Sequence, residues 1–273
     1  MSIDQYAVVG HPISHSKSPA IHTEFAHLTN QSLQYTAIDI EPELFEQTIN
    51  EFFENGGKGL NVTVPFKEKA FAYAHQLSDR AKTAQAVNTL ILNKDGTVTG
   101  DNTDGAGLVN DLLQSTQLKD KRILIIGAGG ASKGVLLPII EQVPQSITIV
   151  NRTFSKAQSL VEQFLPYYKA INAVELEKIE DCFDVIINAT SASLQGQSLS
   201  INPNIINENT VCYDMMYGKD DTVFNTWAKQ QGAKKVIDGL GMLVGQAAFS
   251  FYLWRGVTPK TDSVMQQIRD SMK

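Results

Sequence analysis

The stretch "GLNVTVPFKEKA", residues 59 to 70, brings two hydrogen-bonding side chains close to an amine. In an extended chain alternate residues share a face, so Asn61 and Thr63 point one way while Val62 and Val64 point the other. Pro65 then closes the strand and suits the first turn of a helix, which puts Lys67 at the junction. An amide and a hydroxyl lined up ahead of an amine are suited to a polar substrate that must gain or lose a proton. A solvated strand face followed by a surface lysine reads the same way, so the rest of the chain has to decide.

A second cluster is "GAGGAS", residues 127 to 132, directly after the apolar run "ILII". Gly127 permits a tight turn, and Gly129 and Gly130 let backbone N–H groups approach a pyrophosphate at a helix N-terminus. The usual fingerprint has a glycine or alanine where this chain has Ser132, and a ligand-free strand-to-helix turn is the alternative. The next strand ends in "NRTFSK", with Asn151, Arg152, Thr153 and Lys156 where an NAD site would carry a carboxylate for the ribose 2′-hydroxyl. A guanidinium can instead hydrogen-bond a 2′-phosphate and stack on the adenine. This segment predicts NADP rather than NAD.

The elements that must hold these groups alternate between strand and helix. Ser18 is expected as an N-cap with Pro19 opening a helix whose stripe is Ile21, Phe25 and Leu28. "LQYTAIDI" (33–40) is strand-like. The stretch 42–57 is an amphipathic helix with Leu44, Phe45, Ile49, Phe52 and Phe53 inward, stopped by Gly56 and Gly57. Residues 87–104 read as two strands joined at "KDG". A second unit follows the connection "LKDK" (118–121): strand, glycine turn, helix and strand over 122–153, then strands at 184–190, 210–217 and 234–238. "ILII" lacks alternation, as a parallel strand covered on both faces should. This order implies an α/β protein with a doubly wound sheet in its second half. The segment 241–256 is an apolar helix too short to span a bilayer, and a polar helix follows it.

Composition narrows the class. Of 273 residues, 42% are hydrophobic and 19% charged, a globular balance. Lys and Arg number 23 against 29 Asp and Glu, a formal charge of −6, and no basic cluster offers a nucleic-acid-binding face. Cys182 and Cys212 form no CxxC pair, and Pro12 interrupts His11 and His15, so no metal is expected. His22, His27 and His75 read as surface or boundary residues. The N-terminus carries no secretory pattern and no run is long enough for a membrane span, so the expectation is a cytoplasmic protein without a membrane partner.

Taken in order, "GHPISHSKSPAIH" (10–22), "GLNVTVPFKE" (59–68), "AVNTL" (86–90), "GDNTDGAG" (100–107), "GAGGAS", "NRT", "NATS" (188–191), "YDMMY" (213–217) and "GLGMLVGQAAFSF" (239–251) resemble the shikimate dehydrogenase family over essentially the whole chain. The resemblance implies NADPH-dependent reduction of 3-dehydroshikimate to shikimate. It implies a substrate-binding α/β domain over 1–104, with helices 241–273 packing back towards it, and a Rossmann-like NADP domain over 105–240.

By matching positions, Ser14 and Ser16 should bind the substrate carboxylate. Asn61, Thr63, Asn88, Asp104 and Gln246 should surround the ring hydroxyls with Tyr217 close by, and Lys67 and Asp104 should be the catalytic pair. The cofactor side should comprise Gly127, Ala128, Gly129, Gly130 and Ala131, residues 151–156, Thr190, Ser191, Met215 and Gly239. Asp79 matches a position sometimes assigned to cofactor contact. "NATSASL" departs from similar sequences at Ser193, where glycine is common.

A substrate with one carboxylate and several hydroxyls calls for neutral donors and acceptors, which Ser, Asn, Thr and Gln supply. Ser14 and Ser16 also fit a loop before a helix, and Asn88 and Asp104 also fit turns. Gln246 lies in an apolar helix, where a buried amide needs partners. Lys67 is the candidate acid in reduction and base in oxidation, Asp104 orients it, and the site is expected in a cleft between the domains. The rival readings are a quinate/shikimate dehydrogenase using NAD, a nonenzymatic NADP-binding sensor, and a methylene-tetrahydrofolate dehydrogenase, which leaves the serine pair of "SHS" unexplained. The family includes monomers and homodimers.

Overall fold

A computed structural model describes residues 3–190 and 201–272. The chain divides into two compact units, residues 1–107 with 244–271, and residues 108–243 with the last two positions.

In the first unit β1 (Asp4–Gly10), α1 (Ser18–Leu28), β2 (Leu33–Asp39), α2 (Phe45–Glu54) and β3 (Gly57–Val62) alternate. Then come α3 (Lys67–Tyr73), β4 (Gln76–Leu77), α4 (Asp79–Ala84), β5 (Thr89–Leu92) and β6 (Val98–Asp101). The sheet order is β2-β1-β3-β5-β6-β4. β1 pairs parallel with β2 and β3, and the hairpin β5–β6 joins antiparallel to β3. Ala7, Val9, Leu60 and Val62 bury one sheet face against Phe45, Ile49 and Phe66, while Tyr6, Val8 and Tyr35 cover the other beside Trp254. α5 (Asp104–Leu113) and α9 (Leu240–Arg255) each carry the chain across the division, and α10 (Asp262–Asp270) ends it in the first unit.

The second unit contains β7 (Arg122–Ile126), α6 (Gly130–Ile140), β8 (Ser146–Val150), α7 (Phe154–Phe164), β9 (Ile171–Ala173), β10 (Val185–Asn188), β11 (Val211–Asp214), α8 (Val223–Gln230) and β12 (Lys235–Ile237). All its strands run parallel in the order β12-β11-β10-β7-β8-β9, which from β9 is the 3-2-1-4-5-6 order of a dinucleotide-binding sheet. Ile123 and Ile125 lie in one apolar cluster and Leu124 and Ile126 in another, so "ILII" is covered on both faces.

Several local expectations fail for identifiable reasons. Ser18 is the first helical residue, not the cap; its backbone N–H donates to Ser16 Oγ at 3.3 Å. β3 stops at Val62, so the alternation breaks there: Val64 is 70% exposed while Val62 is buried. Pro65 precedes the helix, and Phe66 is the residue before its first turn. Leu44 is exposed because Pro42–Leu44 forms a separate 3₁₀ turn before α2. His22 is not a surface residue. It is fully buried, stacked on Tyr35 at 4.2 Å, and neither ring nitrogen has a hydrogen-bond partner. Burial lowers its pKa to about 3.

Candidate active site

In the first unit three chain segments converge on one carboxylate. Lys67 opens α3, directly after the turn in which Phe66 N–H donates to Thr63 O. Asp104 opens α5, and its backbone N–H is held by Asn102 Oδ1 at 3.2 Å. Lys67 Nζ lies 2.5 Å from Asp104 Oδ2, and Asn88 Nδ2 donates to Asp104 Oδ1 at 2.8 Å. Asn88 is fixed just ahead of β5, where its carbonyl accepts from Val62 N–H at 2.8 Å and its own N–H reaches Asp101 O at 3.0 Å. Gln246 Oε1, from α9, is 3.4 Å from both Asn88 Nδ2 and Thr103 Oγ1. Asp104 is nine-tenths buried, whereas the Lys67 side chain keeps 30% exposure. The result is an accessible amine held by a buried carboxylate whose second oxygen is occupied by an amide. Such an amine can deliver a proton to a bound oxygen and recover it.

Asn61 is buried at the end of β3 and enters the same network, with Nδ2 at 3.2 Å from Asn88 O. Thr63 follows it on the turn, half-buried, with its N–H donating to Val9 O. Ser14 is exposed on the turn before α1, and Ser16 is half-buried with its N–H bound to Ile13 O. Asp79 stands apart: its side chain is exposed at the start of α4 and pairs with Lys82 at 3.2 Å. Three buried hydroxyls that the sequence did not single out, those of Thr89, Thr103 and Ser250, link the predicted amides. The one available signal was Ser250, a polar residue inside an apolar helix between Phe249 and Phe251.

In the second unit the glycine turn has the geometry a dinucleotide needs. Gly127 sits at φ 111°, where a side chain is strained, and an added Cβ would lie 3.0 Å from Thr190 Cγ2. Beside Gly129 and Gly130 the space is open: a Cβ there would meet nothing within 4 Å. Ala128 N–H donates to Asn151 Oδ1, and Asn151 Nδ2 donates to Thr153 O at 2.9 Å, which ties the turn to the start of α7. Ser132 is accommodated because its hydroxyl donates to Gly127 O at 2.8 Å from a fully buried position. Arg152, Thr153 and Lys156 are exposed around the N-terminus of α7. An exposed guanidinium next to an open glycine turn fits a phosphorylated ribose.

Gly239 is needed for close approach, since a Cβ would fall 2.1 Å from Met215 O. Met215 is buried and its N–H donates to Asn188 O at 2.9 Å. Thr190 Oγ1 donates to Asn188 Oδ1, and Asn188 Nδ2 donates to the buried Asp214 at 3.0 Å. Asn188 and Asp214 were not among the expected site residues, although each ends an otherwise apolar strand. Tyr217 also belongs to this unit, half-buried, with its phenol pKa raised first by burial and then by Asp238. Ser191 and Ser193 lie outside the described residues. Among the described residues no group of three or more His, Cys, Asp or Glu could hold a metal, and no helix is long and apolar enough to cross a membrane.

Comparison with known proteins gives concordant matches along the chain. Family models match in succession: the shikimate dehydrogenase substrate binding domain over residues 8–90, shikimate/quinate 5-dehydrogenase over residues 108–198, and the shikimate 5′-dehydrogenase C-terminal domain over residues 239–269. The shikimate dehydrogenase (NADP(+)) of Vibrio cholerae serotype O1 is 54% identical over 272 residues, covering 99% of this chain and 98% of that protein. The crystal structure of shikimate 5-dehydrogenase from Thermus thermophilus in complex with NADP(H) and shikimate superposes with a TM-score of 0.88 at 32% identity, covering 99% of this chain and 100% of that one. The enzyme from Listeria monocytogenes in complex with shikimate and NAD gives 0.89 at 25% identity, with 97% and 96% covered. Identity of this extent, with matches running from residue 8 to residue 269, shows that the chain belongs to the shikimate dehydrogenase family.

Proposed function

We infer that this chain is an NADP-dependent shikimate dehydrogenase, reversibly reducing 3-dehydroshikimate to shikimate in the route to chorismate and the aromatic amino acids. The observation that carries the chemical assignment is the 2.5 Å contact between Lys67 and Asp104, with Asn88 on the other carboxylate oxygen. Ketone reduction needs a hydride on carbon and a proton on oxygen, and NADPH supplies the hydride. The Lys67 ammonium donates the proton as the carbonyl oxygen becomes an alcohol, and in oxidation the amine takes it back. Asp104 holds the amine in place and accepts from a substrate hydroxyl. Asn61, Thr63, Asn88 and Gln246 read the remaining hydroxyls, Ser14 and Ser16 bind the carboxylate, and Tyr217 lies against the ring.

The first unit, with α9 and α10, is the substrate domain and the second the cofactor domain. The turn 127–131, Asn151, Arg152, Thr153, Lys156, Thr190, Ser191, Met215 and Gly239 bind NADP, with Asp79 a further candidate contact. Exposed cations at the end of β8, with no carboxylate among residues 151–156, support NADP over NAD. The same reading takes the enzyme as cytoplasmic and as a monomer or homodimer, two states that light scattering distinguishes. The decisive test follows absorbance at 340 nm with shikimate or quinate and NADP or NAD. Shikimate with NADP gives the largest kcat/KM. A preference for quinate with NAD overturns the substrate and cofactor assignment, and no turnover with any pair leaves a nonenzymatic NADP-binding protein.

A further inference from the structure

Buried hydroxyls join the two asparagines of the site, and the direction of several of these hydrogen bonds can be worked out. Asn88 Nδ2 faces the Asp104 carboxylate, and Asn88 Oδ1 receives Thr103 N–H at 2.9 Å, so its amide has one permitted orientation. Asn61 Nδ2 faces the carbonyl of Asn88, which only accepts, so Asn61 Oδ1 must be the atom that meets the Tyr35 hydroxyl at 2.7 Å. Thr89 Oγ1 is 2.8 Å from Asn88 Oδ1 and has one proton, which goes to that oxygen. Thr89 therefore accepts from its other neighbours, Asn61 Nδ2 at 3.3 Å and Ser250 Oγ at 2.8 Å. Ser250 accepts from Asn61 Nδ2 at 3.0 Å, and its one proton serves the 2.8 Å contact with Thr89, with Gln246 O farther off at 3.1 Å.

We propose that Tyr35, Thr89 and Ser250 are positioning residues that preset the amide faces of Asn61 and Asn88 for recognition of the substrate hydroxyls. Thr89 and Ser250 are fully buried and Tyr35 is 7% exposed. They act through the asparagines, of which Asn88 touches Asp104. Tyr35 is itself held by the stacked ring of His22, and burial keeps its phenol protonated and able to donate. An amide whose orientation is fixed before the substrate arrives loses less freedom on binding, which is the advantage of such an arrangement.

The inference rests on the substrate-site reading above, and its test separates the two. Thr89→Val and Tyr35→Phe each remove one hydroxyl at nearly constant volume, whereas Thr89→Ser keeps the hydroxyl. Steady-state kinetics and calorimetric titration of shikimate are run on all three, with Asn61→Ala and Asn88→Ala beside them. Thr89→Val and Tyr35→Phe should each raise the shikimate KM and calorimetric Kd roughly tenfold, with kcat and the NADP KM nearly unchanged. Thr89→Ser should restore the wild-type values. Unchanged shikimate affinity in both hydroxyl-deleted variants overturns the proposal. So does a Thr89→Ser defect equal to that of Thr89→Val, or a parallel rise in the NADP KM, since either marks a purely structural role. If Asn61→Ala and Asn88→Ala bind shikimate normally, the site reading itself fails. If those two lose affinity while the hydroxyl variants keep it, only the positioning role is wrong.

Discussion

Lys67 and Asp104 meet because each is the first residue of a helix, where the side chain leaves a fixed backbone position. The aspartate is the more buried of the two, and Asn88 and Asn102 constrain its side chain and its backbone. The lysine side chain keeps 30% exposure, which suits the proposed proton transfer to a bound oxygen. Lys67→Ala should therefore lower kcat by about two orders of magnitude while the shikimate KM changes little, because a proton-transfer group acts mainly in the transition state. Near-normal turnover in that variant would remove the amine from the chemistry. Of this constellation, Asn61, Thr63 and Lys67 stood out as a local pattern. Asn88, Asp104 and Gln246 entered through the family resemblance. Thr89 and Thr103 were not found at all, since a threonine that opens a strand or follows one carries no sign of which neighbours will share its proton.

At the level of elements, legibility followed the strength of local signals. The run "ILII", the glycine turn and the apolar stretches at 185–188 and 211–214 are strands or turns in the structure because continuous apolar residues or glycines leave few alternatives. α5 was missed because "DGAGLVNDLL" holds two glycines in its first turn, which mask its helical period. β9 has three residues, too few for any pattern, and depends on pairing with β8. Val64 misled the reading of β3 because two-residue periodicity cannot report where a strand stops. The loop from β8 into α7 is the proposed reader of the 2′-phosphate, and Arg152 is exposed there without an intervening carboxylate. Arg152→Asp should raise the NADPH KM far more than the NADH KM, as measured by paired kinetics with both nucleotides. Equal changes would show that this turn does not read the 2′-phosphate.

For the molecule as a whole, the buried His22 couples folding to pH. Unfolded, its imidazole titrates near 6.5; folded, near 3, so between those values the unfolded chain binds a proton that the folded one excludes. The stability held above pH 6.5 is lost progressively as pH falls towards 3. From about pH 7.5 to pH 5 this group alone should remove about 2 kcal/mol, readable by urea denaturation at each pH. His22→Phe keeps an aromatic ring beside Tyr35, Phe25 and Phe251 and should flatten that part of the profile. Identical pH profiles for the two proteins would mean that the imidazole reaches water when protonated.

The division of the chain also orders events at the ribosome. Residues 108–243 are synthesised without interruption, whereas the first unit lacks α9 until residues 244–271 follow. Ser250 and the Trp254 indole, which donates to Leu90 O, arrive only after the whole dinucleotide sheet. At ~5–20 residues per second the nascent N-terminal half waits roughly 1.5–6 s after the dinucleotide fold is fully translated. A chain released just after residue 243 would therefore carry every strand of the nucleotide sheet and lack the part of α9 that brings Gln246, Ser250 and Trp254 to the first unit.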